Sequence, residues 1–176
     1  HSHTDMEIVT WIVEGRLTHE DSTDSTSTVG PHEIQKMSAG TGITHSEYNA
    51  SETNSLRLLQ IWIEPDRSGV EPDYHEKSFA DTRLRERLVP VASGRNDDSG
   101  VPLEQDASIL VGLLAPEDER SLELSPERRY YGISVTGTTT WNEQTLHQGD
   151  AVRIRDETDL RLTAPERSEV MVIDLP

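Results

Sequence analysis

The sequence predicts an all-β protein built as two barrel-like halves, and three observations carry that expectation. Short runs rich in β-branched and aromatic residues recur at close intervals, separated by Gly and Pro turns, while helical periodicity is confined to one short piece. The same turn also occurs twice. Val13-Glu14-Gly15-Arg16 in the first half is matched by Val135-Thr136-Gly137-Thr138 in the second, each reading as strand, glycine turn and strand. Nothing in the pattern suits a parallel α/β sheet, and a sandwich or barrel of short strands is expected.

Taken in order, Glu7 to Val13 reads as a strand and Glu14-Gly15 as its turn. Arg16 to Glu20 restarts an alternating pattern, and the polar Asp21 to Thr28 suits a solvated hairpin loop. Ile34 to Met37 predicts a short strand, and Leu56 to Ile63 is the clearest strand of the chain, closed by Pro65. Residues 66–105 differ in character. They contain Pro72, a helical piece over Phe79 to Arg87 and the flexible run Ser93 to Gly100, and they are read as a connection between the halves. Strand patterns resume at Ser108 to Leu114, Ser121 to Leu124, Tyr130 to Thr136, Thr138 to Trp141, Ala151 to Ile154, Leu160 to Thr163 and Glu169 to Leu175. The division expected is therefore 1–65, 66–105 and 106–176.

Charge narrows the classes of function. There are 33 acidic residues against 16 basic ones, a formal net charge of -17, and Lys36 and Lys77 are the only lysines. Nucleic acids and anionic membranes recruit clustered positive charge, so direct nucleic-acid binding and membrane binding are not expected. Carboxylates spread along the chain with so few lysines point to a halophilic protein that keeps itself soluble in strong salt. Stability should then rise as salt is added, because the Debye length is ~10 Å at about 0.1 M and screening relieves carboxylate repulsion. A melting temperature that stays flat or falls between dilute buffer and molar potassium chloride would refute this. Cysteine is absent, which excludes disulfides, thiolate metal sites and cysteine nucleophiles. No apolar run approaches a membrane helix, and a cytoplasmic protein is the default expectation.

The chemistry concentrates in two histidine pairs. In Ala39-Gly40-Thr41-Gly42-Ile43-Thr44-His45-Ser46-Glu47, His45 and Glu47 are two apart, so in an extended strand they project from one face. His1-Ser2-His3 repeats the spacing with two imidazoles. Two strands facing across a barrel would bring three nitrogens and one carboxylate oxygen to one point. Such a set without sulfur suits Fe(II), which is favoured here, or Ni, Co, Mn, Cu or Zn, and leaves open positions for small molecules. Singly, each histidine fits an ordinary polar strand position; two such pairs in one acidic domain favour a metal. His19, His32, His75 and His147 are assigned to the surface, and Trp11 and Trp62 to the core. The sequon Asn49-Ala50-Ser51 is read as chance.

His1 to Glu7, running on to Glu14-Gly15, resembles the first cupin motif, and Gly42 to Glu47 resembles the second. Together with His19-Glu20-Asp21-Ser22, Met37-Ser38-Ala39-Gly40 and Gln60-Ile61-Trp62, they resemble the pirin family over nearly the whole chain. The resemblance implies two cupin-type β-barrel (double-stranded β-helix) domains, with one metal in the first bound by His1, His3, His45 and Glu47. His147 has no ligand-type residue two positions away, so the second domain is expected to lack a metal. Family members carry further strands ahead of the first motif, so a first domain truncated at its N-terminus is implied. Glu7, a ligand in many other cupins, receives a supporting or structural role. The function implied is a dioxygenase of the quercetin 2,3-dioxygenase type, which opens a flavonol-like substrate with O2 and uses Glu47 as both ligand and catalytic base. The alternative is a metal-bearing regulatory protein that works through a protein partner without turnover.

Overall fold

A computed structural model describes residues 1–95 and 99–176. Part of the run Ser93 to Gly100, expected to be flexible, therefore lies outside the described residues. The chain forms β1 (Ser2–His3), β2 (Glu7–Glu14), β3 (Leu17–Asp21), β4 (Thr26–Val29), β5 (Glu33–Ser38), β6 (Ile43–Asn49), β7 (Arg57–Ile63) and β8 (Asp73–Ser78). One short helix, α1 (Asp81–Glu86), follows, then β9 (Val89–Ser93), β10 (Val101–Pro102), β11 (Ser108–Leu114), β12 (Glu119–Glu123) and β13 (Arg129–Thr136). The last strands are β14 (Thr139–Trp141), β15 (Gln144–Leu146), β16 (Ala151–Ile154), β17 (Asp159–Thr163) and β18 (Ser168–Leu175). The architecture is thus almost wholly β, and no helix among the described residues is long and apolar enough to cross a membrane.

Two compact units emerge, one of residues 1–79 with 101–105 and one of residues 80–100 with 106–176. The repeated turn is real in both. Gly15 has φ +80° and Gly137 φ +72°, left-handed values that glycine adopts without a steric cost. The second unit pairs β9, β11, β18, β13 and β16 in that order, and β12, β17, β14 and β15 in a second sheet. Its core includes an apolar cluster with Leu114, Trp141, Leu160, Leu162, Val170 and Val172. Five strands escaped the reading from sequence. β4 takes the second half of the supposed loop Asp21 to Thr28, β8, β9 and β10 lie within residues 66–105, and β15 lies in the gap between Trp141 and Ala151. In β8 only Tyr74 is a large apolar residue, so the alternation is too faint to read; its pairing along β5 supplies the order instead.

The first unit has sheets ordered β1-β6-β3-β4 and β7-β2-β5-β8, every pairing antiparallel. Side chains that face each other across paired strands share a face of the sheet, so the register tells what fills the barrel. Ile12, Leu17 and Val29 form one buried apolar cluster with Leu56 and Leu58. Ile8, Met37, Ala39 and Ile43 form a second, with Met6 and Tyr74. Between the two, Gln60 opposes Thr10, Thr10 opposes Gln35 and Gln35 opposes Glu76. In the other sheet Glu47 opposes His19, which opposes Ser27. A polar layer therefore crosses the barrel, joined by hydrogen bonds from Gln35 and Gln60 to Glu47 and from Ser27 to Glu76.

Glu7 and Trp11 point away from that interior, because they alternate with Ile8, Thr10 and Ile12 along β2. Glu7 is 1% exposed, lies 3.5 Å from the Lys36 ammonium and accepts the Glu104 backbone N–H at 3.1 Å. One of only two lysines is thus spent neutralising a buried carboxylate. The role of Glu7 is structural.

Candidate metal centre

β1 and β6 are neighbours, with Ser2 opposite Thr44 and His3 opposite Ile43. The expected arrangement of two strands facing across a barrel is thereby corrected: the histidine pairs lie side by side in one sheet. His1 then falls opposite His45, and each backbone nitrogen donates to the other's carbonyl, at 2.9 and 3.1 Å. His1 and His3 share a face with His45 and Glu47, so adjacency achieves what convergence across the barrel was expected to do. Gly40 makes the approach to β6 possible. It has φ +47°, and a Cβ there would lie 2.1 Å from the Val70 carbonyl oxygen.

The side chains of His1, His3 and His45 bring one ring nitrogen each within 4.8 Å of one another. His45 Nε2 is 3.0 Å from His1 Nε2, and the three rings meet edge to face at centroid distances of 4.5 to 5.0 Å. His3 Nε2 is buried and has no hydrogen-bond partner. An orphaned buried nitrogen beside two other imidazoles is what a cation's lone-pair donor looks like, so these residues fit a divalent metal. Burial, together with the nearby His19 and His3, lowers the His45 pKa despite the opposing charge of Glu47, favouring the neutral form that a ligand needs.

Glu47 belongs to a second group that also satisfies ligand spacing, with His45 again and with His19. Burial works to raise the Glu47 pKa, but the His19 imidazole 3.9 Å away and the hydrogen bond from Gln60 outweigh it and hold the carboxyl below its usual range. Gln60 Nε2 donates to Glu47 Oε2 at 2.7 Å and to Thr10 Oγ1 at 3.2 Å, and Gln35 Nε2 donates to Oε1. Gln35 is itself held by the Tyr74 hydroxyl, which donates to its Oε1 at 3.2 Å; burial pushes the Tyr74 pKa up to about 12.

His19 is the clearest correction. Assigned to the surface, it is fully buried, with Nε2 2.9 Å from Asp21 Oδ2 and Nδ1 3.5 Å from His45 Nδ1. Burial disfavours its charge, yet the nearby Glu47 carboxylate and the hydrogen-bonded Asp21 prevail and its pKa is raised. His147 is exposed, as expected, whereas His32 and His75 are partly buried, His32 beside the Trp11 ring. Trp62 is corrected too. It is 56% exposed, its ring stands edge-on to His3 at 5.0 Å, and its Nε1–H donates to Gln60 Oε1 at 3.0 Å. Trp11 is fully buried, in line with its core assignment. The signal for His19 was present in the sequence: His19 and Asp21 have the same two-residue spacing as His45 and Glu47.

Residues 1–63 match the sequence pattern described as Pirin, and residues 90–175 match that of the quercetinase C-terminal cupin domain. A protein named quercetin 2,3-dioxygenase from Escherichia coli K12 is 38% identical over 176 residues, spanning 100% of this chain and 75% of its own. The chain belongs to the pirin family. A pirin-like protein of Caulobacter vibrioides is 34% identical over 99% of the chain and 75% of its own length. The crystal structure of YhhW from Escherichia coli superposes with a TM-score of 0.93 at 36% identity, covering 100% of this chain and 74% of that one. The structure of the bacterial pirin YhhW in complex with nickel(II) gives 0.91 at the same identity, covering 100% and 75%.

Among the described residues, both ligand-spaced groups lie in the first unit. A cavity of about 450 Å³ in the second unit, with Trp141, Gln144, Arg153 and Leu160 in its wall, contains no histidine. Trp62 supplies an optical reporter of the centre. Adding Ni(II) or Cu(II) to metal-free protein should quench tryptophan emission, and Trp62→Phe should remove most of the quenched component. Quenching that survives this substitution would place the ion elsewhere.

Proposed function

We propose that this pirin is a metal-dependent dioxygenase of the quercetin 2,3-dioxygenase type, with His1, His3, His45 and Glu47 as the ligands of one divalent ion. The observation that carries the reading is the buried, unpartnered His3 Nε2 set between His45 and the exposed indole of Trp62. Support comes also from the relative named quercetin 2,3-dioxygenase and from the nickel complex of YhhW. When bound, a divalent cation supplies positive charge that lowers the pKa of a coordinated hydroxyl and keeps one or two positions open for substrate and O2.

The chain's own groups do the rest. Trp62 offers a flat apolar face beside the ligands, suited to the rings of a flavonol. Gln60 and Gln35 fix the plane of the Glu47 carboxylate by donating to both of its oxygens. Each of those oxygens keeps a second lone pair, so Glu47 accepts the substrate's hydroxyl proton without losing its orientation. Removing that proton leaves an electron-rich enolate for O2 to attack.

The test is direct. Metal-free protein is loaded in turn with Fe(II), Ni(II), Co(II) or Mn(II) and mixed with quercetin in air, and flavonol absorbance and O2 uptake are followed. Matched loss of both supports the reading. A fully loaded protein that leaves quercetin untouched with every metal overturns it in favour of a regulatory pirin acting through a protein partner.

A further inference from the structure

We propose that Asp21 and His19 are positioning residues that set the tautomer of His45, presenting its Nε2 lone pair to the metal. The inference rests on the proposed function only in taking His45 Nε2 as a ligand atom. A neutral imidazole has one N–H donor and one acceptor nitrogen, so whatever faces one nitrogen decides the other.

The chain of decisions begins at Asp21, whose side chain is fully buried. Its Oδ1 accepts the Thr23 backbone N–H at 2.8 Å, the Thr23 hydroxyl at 2.6 Å and the Ser25 backbone N–H at 3.3 Å. Its Oδ2 faces His19 Nε2 at 2.9 Å. An ionised carboxylate only accepts, so the proton of neutral His19 sits on Nε2 and its Nδ1 is left as an acceptor. That acceptor lies 3.5 Å from His45 Nδ1. His45 therefore carries its proton on Nδ1, and its Nε2 lone pair is directed to the side where His1 Nε2 lies 3.0 Å away. Glu47 Oε1, 3.9 Å from His19 Nδ1, lies beyond hydrogen-bond distance. Ring stacking on Tyr74, with centroids 4.8 Å apart and planes 29° apart, holds the plane of the His19 ring, and the Asp21 contact at Nε2 fixes which edge faces His45.

The turn after β3 makes this testable by one atom. In Asp21→Asn, three donors still hold Oδ1, so the amide nitrogen takes the place of Oδ2 and can only donate to His19 Nε2. His19 must then carry its proton on Nδ1 and donate to His45 Nδ1, moving the His45 proton to Nε2, where it competes with the metal. Long-range ¹H–¹⁵N correlation on metal-free protein, well above the pH range in which imidazoles titrate, should show His45 as Nδ1–H in the parent and Nε2–H in Asp21→Asn. Co(II) affinity, measured by competition with a chelator, should fall roughly 10–100-fold, as for lost supporting partners of metal-bound histidines.

An Nε2–H His45 in the parent, or parental affinity and tautomer in Asp21→Asn, overturns the inference. Should Asp21→Asn not fold, His19→Leu against His19→Gln carries the test, since only glutamine can still accept from His45 Nδ1–H. The glutamine variant should then bind Co(II) more tightly, and equal affinities overturn the inference. A parent with Nδ1–H His45 that binds no Co(II) confirms the tautomer and instead removes the metal reading.

Discussion

His45→Ala should strip the protein of most of its divalent metal, with affinity falling by more than the roughly 10–100-fold that losing a supporting partner costs. His45 is singled out because it is the one side chain common to both ligand-spaced groups. It is 4% exposed, and its two ring nitrogens face His1 and His19. Elemental analysis after dialysis checks the stoichiometry, and thermal melting checks that the barrel survives. A ligand present at about 100 times its dissociation constant stabilises a folded protein by ~2.7 kcal/mol, so the parent's melting temperature should climb with added Ni(II) and that of the variant should not. Unchanged metal content in His45→Ala would sink the proposed ligand set.

Glu47→Gln should lower quercetin turnover by roughly 10²–10⁴-fold, the range ascribed to general acid–base catalysis, at a metal content measured on the same sample. The surroundings argue that the swap is not silent. Gln35 and Gln60 both aim N–H donors at Glu47, one per oxygen. A glutamine there presents its own NH2 to one of them, and two donors then face each other. The metal measurement separates a lost base from a lost ligand. Parental turnover with full metal would show that Glu47 is not the base.

Half of the site was legible because it is local. Two residues in a strand share a face whatever the fold, so His1 with His3 and His45 with Glu47 could be paired by spacing alone. What lies opposite depends on register between distant segments, which spacing does not carry. The pairing of His19 with Glu47 and of His1 with His45 are of this second kind, and both had to come from the sheet. Trp62 misled for a related reason. A tryptophan in an apolar strand reads as core, and what the sheet leaves uncovered around it is not carried by the strand's own residues. Gln35 and Gln60 sat at inward positions of their strands, polar where apolar residues were due, and that break in the pattern was a local hint of a polar layer.

The sheets of the first unit are closed by partners far apart in the chain: Glu7 pairs with Ile63, and His3 with Ile43. Such closures pay loop entropy before any contact rewards them, which makes them late and slow steps in folding. An ion in solution therefore meets only isolated two-residue pairs until the barrel is nearly assembled. It follows that metal should leave the refolding rate almost unchanged and act on the reverse process. The loaded protein would owe its persistence to slow unfolding, a kinetic hold on a domain whose middle is polar.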